Sequence, residues 1–158
     1  MEINIEKFFE ESIERKTKEP QKFYNPDWLK PSQNLRIKSI EATEDYTRID
    51  FHYKSSKIYV NGGWIQMESG VFIQPVNSSQ KYGLVKAIGI PIAPMKHYFN
   101  RPGEHYIYTL IFPALPKNTM KINIIEKEAP GNFFNFYGID YSNWMTVPHP
   151  ADLPIFNN

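Results

Sequence analysis

The sequence has no cysteine among its 158 residues. Disulfides, thiolate zinc sites and cysteine nucleophiles are therefore excluded. No apolar run approaches the roughly 18 residues that a membrane-spanning helix needs. An excess of one charge sign is also missing, because 18 basic residues stand against 17 acidic ones. This balance argues against nucleic-acid binding and against a polybasic membrane-binding surface, while the lack of a long apolar run argues against membrane insertion.

Local signatures of catalysis are scarce as well. The chain has no glycine-rich nucleotide loop, no Gly-x-Ser-x-Gly elbow and no paired-histidine metal motif. The best candidate group is His97, Glu104 and His105, which Asp50 and His52 join if two strands meet there. Solvated loop histidines and an exposed polar sheet face explain these residues without a ligand. We therefore expect no catalytic residues, no cofactor and no metal, although acids that meet only in space leave a small hydrolase open.

Short stretches of alternating apolar and polar residues, separated by turn residues, predict an all-β protein. Together with the scarcity of helical periodicity, they favour an immunoglobulin-like antiparallel β-sandwich. The predicted strands lie at 35–40, 47–53, 57–60, 64–67, 70–76, 82–88, 106–112, 120–126 and 133–141. The Asn61-Gly-Gly63 run predicts a tight turn between the strands at 57–60 and 64–67. The alternation assigns seven residues to the core, namely Ile49, Phe51, Leu110, Phe112, Ile122, Ile124 and Phe136.

The chain divides into three parts by composition. Residues 1–33 combine an amphipathic helix with an aromatic and proline-rich connector, residues 34–143 form the sandwich, and residues 144–158 form an extended proline-rich tail. The first 18 residues lack the apolar core of a signal peptide, which predicts a cytoplasmic protein if Met1 is the natural start and an extracytoplasmic one otherwise. The helix presents one narrow apolar stripe, made of Ile5, Phe8, Phe9 and Ile13.

Several apolar residues are candidates for an interface. The strand at 106–112 is apolar on both faces, so Ile107 and Ile111 need a cover, either the N-terminal helix or a partner. Tyr98 and Phe99 lie in a loop, and Trp144 begins the tail. Trp64 is expected in the core. The alternative is a sugar-stacking platform or a protein-binding hot spot that it forms with Tyr98 and Phe99.

Four segments of the second half carry a resemblance to a known family. They are Gly-Ile-Pro-Ile-Ala-Pro at 89–94, Tyr-Thr-Leu-Ile-Phe-Pro-Ala-Leu-Pro at 108–116, Ile-Asn-Ile-Ile-Glu at 122–126 and Asn-Phe-Phe-Asn-Phe-Tyr-Gly-Ile at 132–139. Over residues 35–141 the chain resembles immunoglobulin-like (telokin-like) β-sandwich domains of Bacteroidetes-type bacteria. The resemblance implies an accessory module of exported proteins without catalytic residues.

These observations predict a non-catalytic binding or assembly protein that acts through protein–protein contacts, with another protein or a second copy as partner. A carbohydrate-binding module that uses loop aromatics is the alternative, and a small hydrolase with a spatially assembled site comes third. An apolar surface patch favours the first, open aromatic rings the second and a deep polar cleft the third.

Overall fold

The structure is a computed structural model that describes residues 20–27 and 34–147. Within these residues the chain is all-β and contains no helix. The strands are β1 (Gln21–Tyr24), β2 (Leu35–Ala42), β3 (Tyr46–Lys54), β4 (Trp64–Ile65), β5 (Phe72–Pro75), β6 (Tyr82–Gly83), β7 (Lys86–Ile88), β8 (His97–Tyr98), β9 (His105–Pro113), β10 (Lys121–Ile125) and β11 (Phe136–Asp140).

The larger sheet has five strands in the order β1-β2-β3-β9-β7, and every neighbouring pair is antiparallel. The sequence of strand β3 explains why this sheet forms, because the apolar residues of β3 recur at every second position and lie on the buried face. Its nine residues pair in unbroken register with β9, from Tyr46 opposite Pro113 to Lys54 opposite His105. This long pair is the centre of the sheet and places the ends of both strands beside each other.

The second sheet has the order β11-β10-β5-β6 and is also antiparallel. Its inner side chains meet those of the larger sheet in one continuous hydrophobic core. The Phe51 ring of β3, for example, lies 6.1 Å from the Phe136 ring of β11, measured between centroids. The two sheets therefore form a β-sandwich-like fold, with a separate two-stranded ribbon, β4–β8, at one end.

The predicted core is confirmed in six of its seven residues, since Ile49, Phe51, Leu110, Phe112, Ile122 and Ile124 are all buried. Phe136 is only partly buried, although it packs against the same core. The reason is its place on β11, which ends the order of the second sheet and is covered on fewer sides.

Two strand predictions are wrong in detail. Residues 57–60 form a turn, since the segment leaves the sheet after Lys54 and its side chains are exposed. The stretch at 82–88 is two short strands, because β6 pairs with β5 in one sheet and β7 pairs with β9 in the other. The chain crosses between the sheets at this point, which an alternation pattern does not reveal.

The flanking segments differ from their expected roles where they are described. Residues 21–24 were expected in a connector, but they form β1, which pairs with β2 and contributes Phe23 to the core. Met145 bridges to Tyr24, so the start of the tail lies against β1. The predicted N-terminal helix at 1–18 and the tail beyond residue 147 lie outside the described residues.

Candidate binding site at the aromatic end

The β4–β8 ribbon exposes its largest side chains. Trp64 is opposite Tyr98 across the ribbon, so both rings lie on the same face. Trp64 is 47% exposed and Tyr98 is 66% exposed, whereas the neighbouring Ile65 is buried. The expectation that Trp64 lies in the core is therefore wrong. The ribbon anchors itself through Ile65 and leaves a tryptophan in solvent, which is unusual for so large an apolar group.

The loop between β3 and β4 adds a second group of exposed apolar side chains. Its tip, residues 57–60, contains Ile58, which is 88% exposed, and Val60, which is 90% exposed. Tyr59 lies between them and is also exposed. We call Ile58, Tyr59, Val60, Trp64 and Tyr98 together the aromatic end.

Hydrogen bonds to the neighbouring loop hold the base of this tip in place. Ser55 is buried, and its hydroxyl donates to the Arg101 carbonyl oxygen (2.8 Å) while accepting from the Glu104 N–H (2.7 Å). The main chain of Ser55 also bonds to Glu104 and to Gly103. One small side chain thereby ties the loop after β3 to the loop before β9.

Two glycines shape the turn that follows the tip. Gly62 has a φ of +85°, and a Cβ at this position would lie 2.4 Å from the Arg101 carbonyl oxygen. Gly63 has a φ of +76°, and its Cβ would lie 3.0 Å from a carbon of the Tyr59 ring. Only glycine fits this backbone and this close approach. The predicted Asn-Gly-Gly turn is thus confirmed, and it places Tyr59 beside Trp64.

A groove with a volume of about 420 Å³ runs between the tip and the ribbon. It is bordered by the rings of the aromatic end and by the exposed Asn61. The lining residues are Tyr59, Val60, Asn61, Gly63, Trp64, Tyr98 and Phe99. The arrangement has the composition of a binding hot spot, with aromatic anchors around a concavity.

A larger groove of about 510 Å³ lies at the opposite end of the sandwich, beside the β2–β3 turn and the loop between β9 and β10. Polar turn residues such as Thr43, Glu44 and Asn118 supply much of its wall. None of its lining residues is among the exposed large hydrophobic side chains. We therefore place the candidate site at the aromatic end despite the smaller volume.

Cations surround the aromatic end. Lys96 holds its Nζ 4.4 Å from the centroid of the Trp64 ring, in cation–π geometry. Lys57 and Arg101 are exposed in the two flanking loops. The only carboxylate in segments 54–65 and 95–104 is Glu104, which accepts a hydrogen bond from the Asn100 N–H (3.1 Å).

Asp50, one of the candidate catalytic residues, is a structural acceptor. Its carboxylate accepts hydrogen bonds from Thr109 Oγ1 (2.6 Å), Ser39 Oγ (3.1 Å) and Arg48 Nε (3.1 Å). Burial by itself acts to raise the pKa of Asp50, but the hydrogen bonds from Thr109, Arg48 and Ser39 outweigh it and the pKa is lowered. A carboxylate this well satisfied stabilises the sheet and is a poor proton acceptor.

The candidate histidines do not assemble as one group. His105 Nδ1 lies 2.9 Å from His52 Nε2, and the two rings are stacked on the outer face of the larger sheet. Burial, with His105 nearby, lowers the pKa of His52. His97 instead stacks on Tyr106, 4.6 Å between ring centroids. Within residues 20–27 and 34–147, no group of three or more His, Cys, Asp or Glu side chains has metal-binding geometry.

Ser78 and Lys81 have the Ser-x-x-Lys spacing of a nucleophile and its base. Ser78 Oγ accepts a hydrogen bond from the Gln80 N–H (3.1 Å) instead. Lys81 lies 3.6 Å from Glu128 and over the Phe72 ring. The spacing therefore marks a turn here, and it carries no argument for catalysis.

The predicted interface residues are distributed over several parts of the molecule. Phe99 is only 4% exposed and packs on Tyr53, so its place in the interface is corrected to the core. Ile107 is 60% exposed and Ile111 half-buried, on the outer face of the larger sheet. Trp144 is half-buried against Tyr141. The helix candidates lie outside the described residues, and they are Ile5, Phe8, Phe9 and Ile13.

Among the residues that the structure describes, Glu126 is the acidic residue that is buried. Its carboxylate accepts hydrogen bonds from the N–H groups of Phe134 (2.8 Å) and Glu68 (3.1 Å). Burial raises its pKa, and the hydrogen bonds oppose that rise. Glu126 connects the loop before β11 to the loop before β5, which is a structural role.

Sequence reasoning missed Ile58, Tyr59 and Val60 as surface residues because a short run of β-branched and aromatic residues resembles a strand. The sequence feature that identifies them is the Asn61-Gly-Gly63 run directly after them, because a tight turn of this kind often follows the exposed tip of a loop. Trp64 was assigned to the core, with an exposed platform only as the alternative, because immunoglobulin-like sandwiches bury a tryptophan.

Comparison with protein-family models, with curated proteins and with solved structures found no match. In the part of the chain that the structure describes, no helix is long and apolar enough to cross a membrane.

Proposed function

We propose that this chain is a non-catalytic binding or assembly protein and that the aromatic end is its contact surface for another protein. The observation that carries this proposal is the exposure of four large apolar side chains that line one groove, Tyr59, Val60, Trp64 and Tyr98, with the exposed Ile58 next to them in the chain. A cluster of exposed aromatic and aliphatic side chains marks an interaction surface, because a soluble monomer rarely leaves a large contiguous apolar patch open to solvent.

The rigidity of the surface supports the same proposal. The tip is tied down by the Ser55 hydrogen bonds and shaped by Gly62 and Gly63. A preorganised surface loses little conformational entropy when it binds. Trp and Tyr are also the side chains that contribute most to binding energy when a partner excludes water from them.

We further propose that the β-sandwich-like fold is immunoglobulin-like, of the telokin-like kind found in bacteria, and that the chain is a subunit of a larger complex. The two antiparallel sheets around one core support the fold proposal. The Phe112–Pro116 corner supports it as well, because Phe112 is buried at the end of β9 and Leu115 packs against the core.

Carbohydrate binding is the second candidate, and the groove favours it, since rings and the Asn61 amide border one concavity. Lys96 argues against it, because its ammonium group lies over the Trp64 ring that a sugar would stack on. Retarded migration of the protein in native gels containing a neutral polysaccharide, abolished by Trp64→Ala, would favour carbohydrate over protein.

The proposed function is tested by site-specific photo-crosslinking in the native cell. A benzophenone amino acid replaces Ile58 in one variant and Tyr137, which is also exposed and lies on β11, in the control. We expect a crosslinked product of defined mass from position 58 that a second change, Trp64→Ala, removes, and no such product from position 137. Equal products from both positions, or none from position 58, would contradict the proposal.

A further inference from the structure

The segments around the aromatic end carry an excess of positive charge, whereas the rest of the chain does not. Segments 54–65 and 95–104 contain the cations Lys54, Lys57, Lys96 and Arg101 and the single acid Glu104. The whole chain has a net charge of only +1. The remaining residues are therefore net acidic, and the cation excess is local to the two loops that border the groove.

Three of these cations, Lys57, Lys96 and Arg101, are exposed and therefore accessible to a bound group. The Lys96 ammonium lies over the ring of Trp64, which lines the groove, so this charge is at the groove. Neither flanking loop offers a second carboxylate to neutralise these charges, and the carboxylate of Glu104 already accepts from Asn100.

We propose that the partner at the aromatic end presents an acidic peptide segment, in which an apolar or aromatic side chain fills the groove and flanking Asp or Glu residues face Lys57, Lys96 and Arg101. This inference rests on the proposed function and specifies the chemistry of its partner. Complementary charge accelerates association and selects among partners, while the buried apolar anchor provides most of the affinity.

The shape of the site favours a peptide segment over the other anionic surfaces. A bilayer is flat and contacts a protruding tip, whereas Trp64 and Tyr98 line a groove behind the tip. An acidic polysaccharide would gain little from contact with Ile58 and Val60, which are aliphatic and nearly fully exposed. A peptide segment of a partner, in contrast, contacts both the groove and the tip.

The test is a selection of random 12-residue peptides, displayed on phage, against the full-length protein. We expect the enriched peptides to combine Trp, Phe or Leu with at least two acidic residues. The affinity of a synthetic enriched peptide is then measured by isothermal titration calorimetry. Lys57→Glu combined with Lys96→Glu should weaken binding about tenfold or more, and the loss should shrink as salt is raised.

Two controls separate the charge effect from other causes. Lys117→Glu changes an exposed lysine at the opposite end of the sandwich and should change the affinity less than about twofold. Ile58→Ser removes apolar surface without changing charge and should weaken binding as well. Each variant is first compared with wild type in a thermal melt, so that a folding defect is not read as a binding defect.

The possible outcomes distinguish this inference from the proposed function. Enriched peptides that are neutral or basic but lose binding with Ile58→Ser overturn the acidic partner and leave the proposed function standing. If the enriched peptides bind all variants equally, or if no peptide is enriched, the result counts against both the acidic partner and the proposed function. A third outcome is that no peptide of the expected kind is enriched, but the protein binds vesicles of phosphatidylcholine with phosphatidylserine. If the double variant Lys57→Glu with Lys96→Glu abolishes that binding, the inference is overturned in favour of a lipid surface.

Discussion

The β3–β9 pair and the β4–β8 ribbon are both antiparallel and both carry facing aromatic residues, yet they use them in opposite ways. In β3–β9, Phe51 and Tyr108 are stacked with ring centroids 4.9 Å apart and are buried. In β4–β8, Trp64 and Tyr98 face each other across the strands and are exposed. Strand pairing therefore sets which rings meet, and the layer above the pair decides whether they are core or surface.

The difference follows from what covers each pair. The inner face of β3–β9 is covered by the second sheet through residues such as Ile73 and Ile124. The ribbon has only two residues in each strand, and its inward residue Ile65 is enough to anchor it. Its outward face has no covering layer among the described residues, which leaves the tryptophan available to a partner.

The largest expected effect comes from the core side of this comparison. Leu110→Ala on β9 should lower the free energy of unfolding by about 2–5 kcal/mol, because it removes a fully buried side chain and leaves a cavity. Urea denaturation monitored by fluorescence measures the change. A loss below about 0.5 kcal/mol would mean that β9 does not have the observed register.

A second prediction concerns the turn that shapes the aromatic end. Gly62→Ala should destabilise the protein by roughly 2 kcal/mol, because the new Cβ meets the Arg101 carbonyl and φ is positive. Gly70→Ala is the matched control, since nothing lies within 4 Å of a Cβ at that position. Equal melting temperatures for the two variants would contradict the close approach of the two loops.

The outer face of β3–β9 provides a third, smaller effect with a pH signature. Thr109→Val removes the 2.6 Å hydrogen bond to Asp50 and should cost about 1.5 kcal/mol at neutral pH. The pKa of Asp50 is lowered in the fold, so its contribution is present above its unfolded value of about 3.9 and is lost as pH falls through the folded pKa.

Denaturation of wild type and Thr109→Val from pH 7 to pH 2 checks this prediction. The difference between the two proteins should be constant near neutral pH and should shrink at the acid end of the range, where Asp50 becomes protonated in both. A difference that grows as the pH falls would show that Thr109 does not stabilise the ionised carboxylate.

The smallest effect on stability is expected on the ribbon. Trp64→Ala should change the free energy of unfolding by no more than about 0.5 kcal/mol, because the side chain is half exposed and lacks a covering layer among the described residues. The same variant should abolish the crosslink from position 58. A cost near that of Leu110→Ala would place Trp64 in the core and remove the main argument for the aromatic end.

How far the sequence predicts the structure depends on the length of each strand. The alternation of Ile49, Phe51 and Tyr53 extends over a nine-residue strand, and both strand and buried face were predicted correctly. Residues 57–60 are a run of only four residues with no alternation, which is too short to separate a strand from a turn. The division of 82–88 between two sheets depends on partners that are distant in the chain.

The candidate site was predicted only in part. Tyr98 was identified as a contact residue, and it is exposed, but its neighbour Phe99 points to the core because adjacent residues of an extended chain face opposite sides. The pairing of His105 with His52 was foreseen as an option, whereas His97 was expected nearby and lies against Tyr106. Loop positions of this kind are set by tertiary contacts rather than by local pattern.

The sequence by itself determined the β class, the core faces of the long strands and the glycine turn at residues 61–63, because period-two burial and positive φ are local requirements. Only the tertiary structure decided that Trp64 is exposed, that Ser55 joins two loops 46 residues apart, and that Lys96 lies over an aromatic ring. Each of these depends on which distant segment covers a residue. That coverage follows from the order of strands in the sheets, which no local pattern records.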